Sequence, residues 1–412
     1  MADFRNGTAH WPAVFSLFLG VTSLIAAEFT PISLLTPIAR DLGVTEGLAG
    51  QTVTAVGLFA VLTSLMLAPL TRSIDRRLVL LALSFLLIVS NVLVAQAPNY
   101  SVLLVGRGLL GICVGGFWSM ASAVTLQLVP SKDVPRALSI VYAGVSVATI
   151  LSLPLASWLG GLVGWRTVFL AEAGLGLAAL AAQFATVPSL APQAGSSFAN
   201  MAALIRVRWV LAGITGCIFS YGGYHVFFTY LRPYLEHDLA LGAGTLSVVM
   251  LVFGIANCAG TFIAGAVLGR WFGPTMHAIP LALAATAVLL FLNGTASGGI
   301  VLAVLWGLIF GFMPVAWSTW IARTLADRAE LAGGLSVAAI QFSIGLAAFT
   351  GGVTFDNAGM GGIFLIAAAF LLLALLLVRA TFTLREKALR GASEPDSQPA
   401  PCRCGGHRAK TA

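Results

Sequence analysis

The 412-residue sequence predicts an all-α membrane protein: twelve transmembrane helices forming two pseudo-symmetric six-helix bundles. Three observations lead there. Only 9% of residues are charged and 58% are hydrophobic, with mean hydropathy +0.96, whereas a soluble domain carries roughly 25% charged residues. The charges cluster and leave long uncharged intervals, each with room for a helix of roughly 20 residues. The two halves of the chain also repeat each other at an offset of about 200 residues.

The first span, near 12–35, is WPAVFSLFLGVTSLIAAEFTPISLL and carries one acid, Glu28. It has no small-residue cleavage site after it and reads as a retained helix. Further spans follow near 48–70, 78–97, 101–129, 135–161 and 166–187, then 209–235, 243–268, 275–294, 298–322, 333–355 and 358–380. Lipid offers the backbone no hydrogen bonds, and segments this long and uniformly apolar suit helices, not the alternating strands of a barrel. The divisions expected are an N-terminal bundle 1–187, a cytoplasmic linker 188–208, a C-terminal bundle 209–380 and a disordered cytoplasmic tail 381–412.

Orientation follows from Lys and Arg. Eighteen of the 22 fall on the side that carries both termini, and only Arg40, Arg166 and Arg232 lie in the opposite loops. The positive-inside rule therefore places both termini in the cytoplasm. The net charge of +7 is this bias, and no basic face for nucleic acid is visible. Three of the five cysteines lie in spans, so no disulfide framework is expected. The tail run CRCGGH can bind a metal on paper, but a disordered terminus is the preferred reading, and no metal or cofactor is expected.

The repeat is carried by GFWSMASA at 116–123 and VAWSTWIA at 315–322, which align Trp118 with Trp317. Gly111 answers Gly311, and Phe29–Thr30 answers Phe228–Thr229. Parallel six-helix repeats commonly hold a transport site between them at mid-membrane. In this register Glu28 stands opposite Phe227, so the acid belongs to one half only.

A charge inside the bilayer is costly and is kept where it works. Glu28 is about two turns inside its span, and a dry site favours its neutral form, allowing proton exchange near neutral pH. Pro31 and Pro37 are expected to leave backbone carbonyls facing a cavity. Arg107, in the glycine-rich GRGLLGICVGG, lies at a similar depth and is expected to modulate Glu28. For both residues the competing reading is a side chain snorkelling to headgroups. Asp75, Arg76 and Arg77 in LTRSIDRR are candidates for a latch between rocking halves, or simply obey the charge rule. Pro154 bends a fifth span rich in small residues, as a gate requires. Glu172, in the sixth span, is read as an interface or packing acid.

Phe117, Trp118, Tyr221, Tyr224, Phe228 and Trp317 are candidates to stack a flat ring, with Gln341, Asn257 and Asn91 bonding its edges. Aromatics are also common at membrane interfaces. His225 is the histidine deepest in a span, and proton carriage and plain packing weigh equally. No phosphate loop, HExxH or nucleophile elbow is present, and the few acids and histidines assemble no catalytic set, so an enzyme is not expected.

These motifs resemble the major facilitator superfamily, specifically its twelve-helix drug/proton antiporter branch. LTRSIDRR stands at the loop 2–3 signature without its usual glycines, GRGLLG matches the fourth-helix arginine motif, and a loose fifth-helix motif ends in GWRTVF. EFTPISLLTPIARDLGVTEGLAGQ, GGFWSMASAVTLQLVP, FFTYLRPYL and PVAWSTWIARTLAD closely resemble bacterial purine ribonucleoside efflux pumps. The resemblance spans Trp11 to about Arg379 and implies proton-coupled export of inosine- and guanosine-like nucleosides and related base analogues. It also implies an inner-membrane protein, expected here as a monomer. Sugar or multidrug efflux on the same scaffold is the nearest alternative, and a non-transporting solute sensor is a further one.

Overall fold

The computed structural model describes residues 9–71, 73–130, 133–190, 203–325 and 329–393. The N-terminal half contains α1 (Trp11–Leu42), α2 (Glu46–Leu70), α3 (Arg76–Ala95), α4 (Tyr100–Leu128), α5 (Val134–Val163) and α6 (Trp165–Thr186). The C-terminal half contains α7 (Arg208–Thr229), α8 (Ala243–Leu292), α9 (Ala296–Thr324) and α10 (Ala329–Ser393). All ten are long and apolar enough to cross a membrane. The twelve expected spans fit because two of these helices are double. Trp271 (φ −125°, ψ 45°) breaks α8, and Gly359, at φ 60°, breaks α10.

The helix ends show why the chain turns where it does. Thr45, Asn99 and Thr295 accept backbone amides at the starts of α2, α4 and α9, satisfying donors that a helix start leaves free. Gly43 ends α1 in the left-handed region at φ 64°, a conformation that glycine adopts without Cβ strain. The last helix outruns the expectation: residues 381–393 continue α10 as helix, not a disordered tail, and Glu386 pairs with Arg390 on that extension. Most of the linker (191–202) and the tail beyond Ser393, with its CRCGGH run, lie outside the described residues.

The repeat is visible in the packing. Gly111 of α4 lets the α2 backbone at Val56 approach, and Gly311 of α9 does the same for α8 at Asn257 and Thr261. The equivalent residues Phe29 and Phe228 meet each other edge to face, with ring centroids 5.6 Å apart, as residues beside a pseudo-two-fold axis should.

The two halves are joined at the arginine-poor end. Asp356 accepts from the Thr45 hydroxyl (2.7 Å) and from the Gly47 amide (3.0 Å). His237 meets Glu46 at 3.0 Å, and Gln51 donates to the Phe349 carbonyl. Deeper in, Gly57 of α2 crosses Gly345 of α10 so closely that a Cβ on Gly57 would lie 2.7 Å from the Gly345 Cα.

Candidate substrate and proton site

Pro31 has no amide hydrogen, so α1 cannot close the bond that would end on the Ala27 carbonyl. Arg107 supplies the missing donor: its Nη1 donates to Ala27 O at 2.8 Å, Nη2 to Glu28 O at 3.2 Å and Nε to Thr52 O at 3.4 Å. The guanidinium is 1% exposed. Pro37 leaves the Ser33 carbonyl free in the same way, and Arg232 Nη1 from the other half donates to it. The carbonyls expected to face a cavity are thus taken by two arginines. Arg232 is also not a loop charge: it is buried, bonds to Ser157 and pairs with Glu236 at 2.9 Å.

Glu28 is 6% exposed. Its Oε1 accepts a long hydrogen bond from Gln341 Nε2 of α10, at 3.5 Å, so the carboxylate lies at the seam between the halves. The sequence places Arg107 near Glu28, and the structure does so through backbone carbonyls; the guanidinium reaches the carboxylate by electrostatic attraction. The same charge acts on Glu172. Glu172 is buried and accepts the Thr30 hydroxyl, so it faces the bundle interior and not the lipid interface. The signal for it was the one that identified Glu28, an acid in an uncharged span.

The aromatic candidates separate into groups. Tyr221, Tyr224 and His225 of α7 gather around Phe310 of α9, whose ring stacks on Tyr224 with centroids 3.6 Å apart, and Phe228 stacks on the Tyr224 ring. Phe310 was not singled out in the sequence, because nothing there shows which face of α9 turns toward α7. His225 Nδ1 lies 2.9 Å from the Tyr221 carbonyl; a carbonyl only accepts, so Nδ1 carries the hydrogen. Phe117 and Trp118 form a second group with Tyr142 in the other half. Trp317 packs with Trp320, which in turn meets Trp209, and does not join the α7 group.

The latch candidates bind within their own half. Asp75 caps α3 through the Arg77 amide (2.8 Å) and accepts from Ser189 and from the Leu190 amide (2.9 Å). Burial alone would raise its carboxyl, but these hydrogen bonds and the Arg77 charge outweigh it and hold it below the usual range. Arg76 donates to Thr71, and Arg77 donates to the Phe184 carbonyl and lies over the Phe184 ring. Pro154 lies one turn along α5 from Ile150, where α5 packs on Gly254 of α8, whose Cβ would lie 3.0 Å from the Thr149 carbonyl. That is an inter-half contact, where a bend can act.

Among known proteins, a family profile described as Major Facilitator Superfamily matches residues 17–347. The sequence is 44% identical over 387 residues to "Transcription regulatory protein OpdE" of Pseudomonas aeruginosa, covering 92% of this chain and 96% of that protein. It is 40% identical over 394 residues to "Purine ribonucleoside efflux pump NepI" of Escherichia coli, covering 94% of this chain and 99% of that protein. The fold is similar to the crystal structure of the nucleoside transporter NupG, with a TM-score of 0.72 at 14% identity, covering 90% of this chain and 99% of that one.

Proposed function

The chain belongs to the Major Facilitator Superfamily, and on that footing we propose that it exports purine ribonucleosides and related base analogues in exchange for protons. One observation carries the coupling: a buried carboxylate, Glu28, at the seam between two halves, touched by Gln341 of the opposite half. An acid there senses which way the halves are tilted. In the proposed cycle Glu28 takes a proton when the site opens outward. The halves then rock, and Glu28 releases the proton inward as substrate binds. The structure, joined at its arginine-poor end, fits the inward-open stage, in which ionised Glu28 accepts from Gln341.

The nucleoside assignment is supported by the efflux pumps 40% identical to this chain. Aromatic faces on α4 and α7, with the Gln341 amide nearby, suit a flat, hydrogen-bonding ring. By the positive-inside rule both termini are cytoplasmic, and the protein lies in the inner membrane as a monomer, with protons and a nucleoside-like solute as its ligands. Sugar or drug efflux is the nearest alternative.

The relative named as a transcription regulatory protein favours a second reading, a membrane solute sensor. Inverted vesicles supplied with labelled inosine, arabinose or a cationic dye separate these readings. Accumulation of inosine is expected. Movement of arabinose or dye alone points to the sibling substrates, and movement of none to the sensor.

A further inference from the structure

Glu172 has no part in the cycle above, yet it is placed as if it did. It is 8% exposed, on α6, and Thr30 donates its hydroxyl to Oε1. Its other oxygen, Oε2, is buried and has no hydrogen-bond partner among the described residues. Thr30 is two residues beyond Glu28 on α1, so Glu28 and the Thr30–Glu172 bond lie on different faces of that helix, one toward the seam and the other within the N-terminal bundle. Arg107 acts electrostatically on both.

The helices packed on α6 are α1, α3 and α5. Their other charges sit at the ends: Arg40 and Asp41 with Arg166 of α6 at one, and Asp75, Arg76, Arg77, Asp133 and Arg136 at the other. The charge that acts on Glu172 is instead Arg107 of α4. One buried cation therefore acts on two buried carboxylates.

We propose that Glu172 is a positioning residue of the proton site, a counter-charge that neutralises Arg107 and so leaves Glu28 free to take a proton near neutral pH. The proposal rests on the reading of Glu28 as the proton-exchanging acid. Without Glu172, the uncompensated guanidinium would hold Glu28 ionised, and proton uptake would need a more acidic medium. Thr30 tunes the same balance, because its hydroxyl stabilises the ionised form of Glu172.

The test is an infrared pH titration of the purified, lipid-reconstituted full chain, following the carboxyl band that is lost in Glu28→Gln. In Glu172→Gln, which keeps shape and an acceptor for Thr30, the midpoint of that band is expected to fall by about one pH unit or more, the scale of an unscreened neighbouring charge. Thr30→Val is expected to move it the same way by less, and it carries the test if Glu172→Gln does not fold. The pH profile of exchange in vesicles should follow the band. An unshifted midpoint would overturn the proposal, as would a titrating band that vanishes in Glu172→Gln but survives in Glu28→Gln. The infrared readout needs no transport, so a wild type that moves no solute would count against the proposed function and leave this result readable.

Discussion

Arg107 is the residue on which the N-terminal site is built, and its contacts explain why a lysine would not serve. Three carbonyls on two helices converge on one planar fork, whereas an ammonium is a compact point charge with no such fork. Hydrogen bonds to a buried charge contribute roughly 1.5–3 kcal/mol each, so Arg107→Lys should destabilise the protein by about 2 kcal/mol in detergent unfolding. Pro31→Ala restores the helical donor to Ala27. It should rescue part of that loss in the Lys background while doing little for the wild type. Strict additivity in this double-mutant cycle would mean that Arg107 does not act through the proline-freed carbonyl.

How much of the site was legible varies residue by residue. Glu28 announced itself, because a lone acid in an uncharged span has an energetic signature that needs no structure. Gln341 was singled out as an amide for substrate, but its contact with Glu28 depends on how the halves meet, which local sequence does not encode. The topology counted Arg232 among the loop charges; the chain there instead continues through a turn of helix, Leu231–Pro233, and a π-helical turn, Tyr234–Asp238. Phe310 shared its signal with many bland aromatic neighbours, whereas Glu172 carried the same signal as Glu28, and only its partners in the fold show that it faces the bundle interior.

At the scale of elements, the twelve spans were legible because hydropathy reports lipid exposure directly. The sharp kinks that join the paired spans of α8 and α10 without a loop were not, since they depend on the backbone angles of Trp271 and Gly359. The Asp75 cap ties α3 to the start of the linker and has a pH signature. A carboxyl held low in the folded state stabilises it fully above its unfolded value, about 3.9, and that contribution is lost as pH falls through the folded value. Asp75→Ala should therefore cost about 1 kcal/mol at pH 7. Its melting temperature should converge with that of the wild type in acid; a gap independent of pH would assign the effect to packing.

The crossing of α2 and α10 makes a second prediction at this scale. A side chain at Gly57 meets backbone at Gln341 and Gly345, and backbone cannot swing away as a flexible side chain can. Gly57→Val should therefore part the halves at the arginine-poor end. Spin labels at the exposed positions Leu48 and Asn357 should show a longer-distance population than in the wild type. An identical distribution would mean that this crossing does not hold the end closed.

For the whole molecule, a symmetric scaffold carries an asymmetric charge. Phe29 and Phe228 meet as the repeat requires, but Glu28 stands where the other half has Phe227, and Arg107 and Glu172 bond to α1 from within its own half. The C-terminal half contributes aromatic surface, the Gln341 amide and the buried Arg232 to the seam. Division of labour between a proton half and a substrate half accounts for both observations. In the proposed cycle the coupling then depends on a single carboxylate, Glu28, with the rest of the molecule converting its protonation into tilt.

The most direct measurement is inosine exchange driven by an imposed pH gradient, in inverted vesicles containing equal amounts of wild type and Glu28→Gln. The wild type is expected to accumulate inosine above equilibrium and Glu28→Gln is not, with solute-for-solute exchange still detectable in the variant. Undiminished gradient-driven accumulation by Glu28→Gln would contradict the role of Glu28 as the proton-exchanging acid.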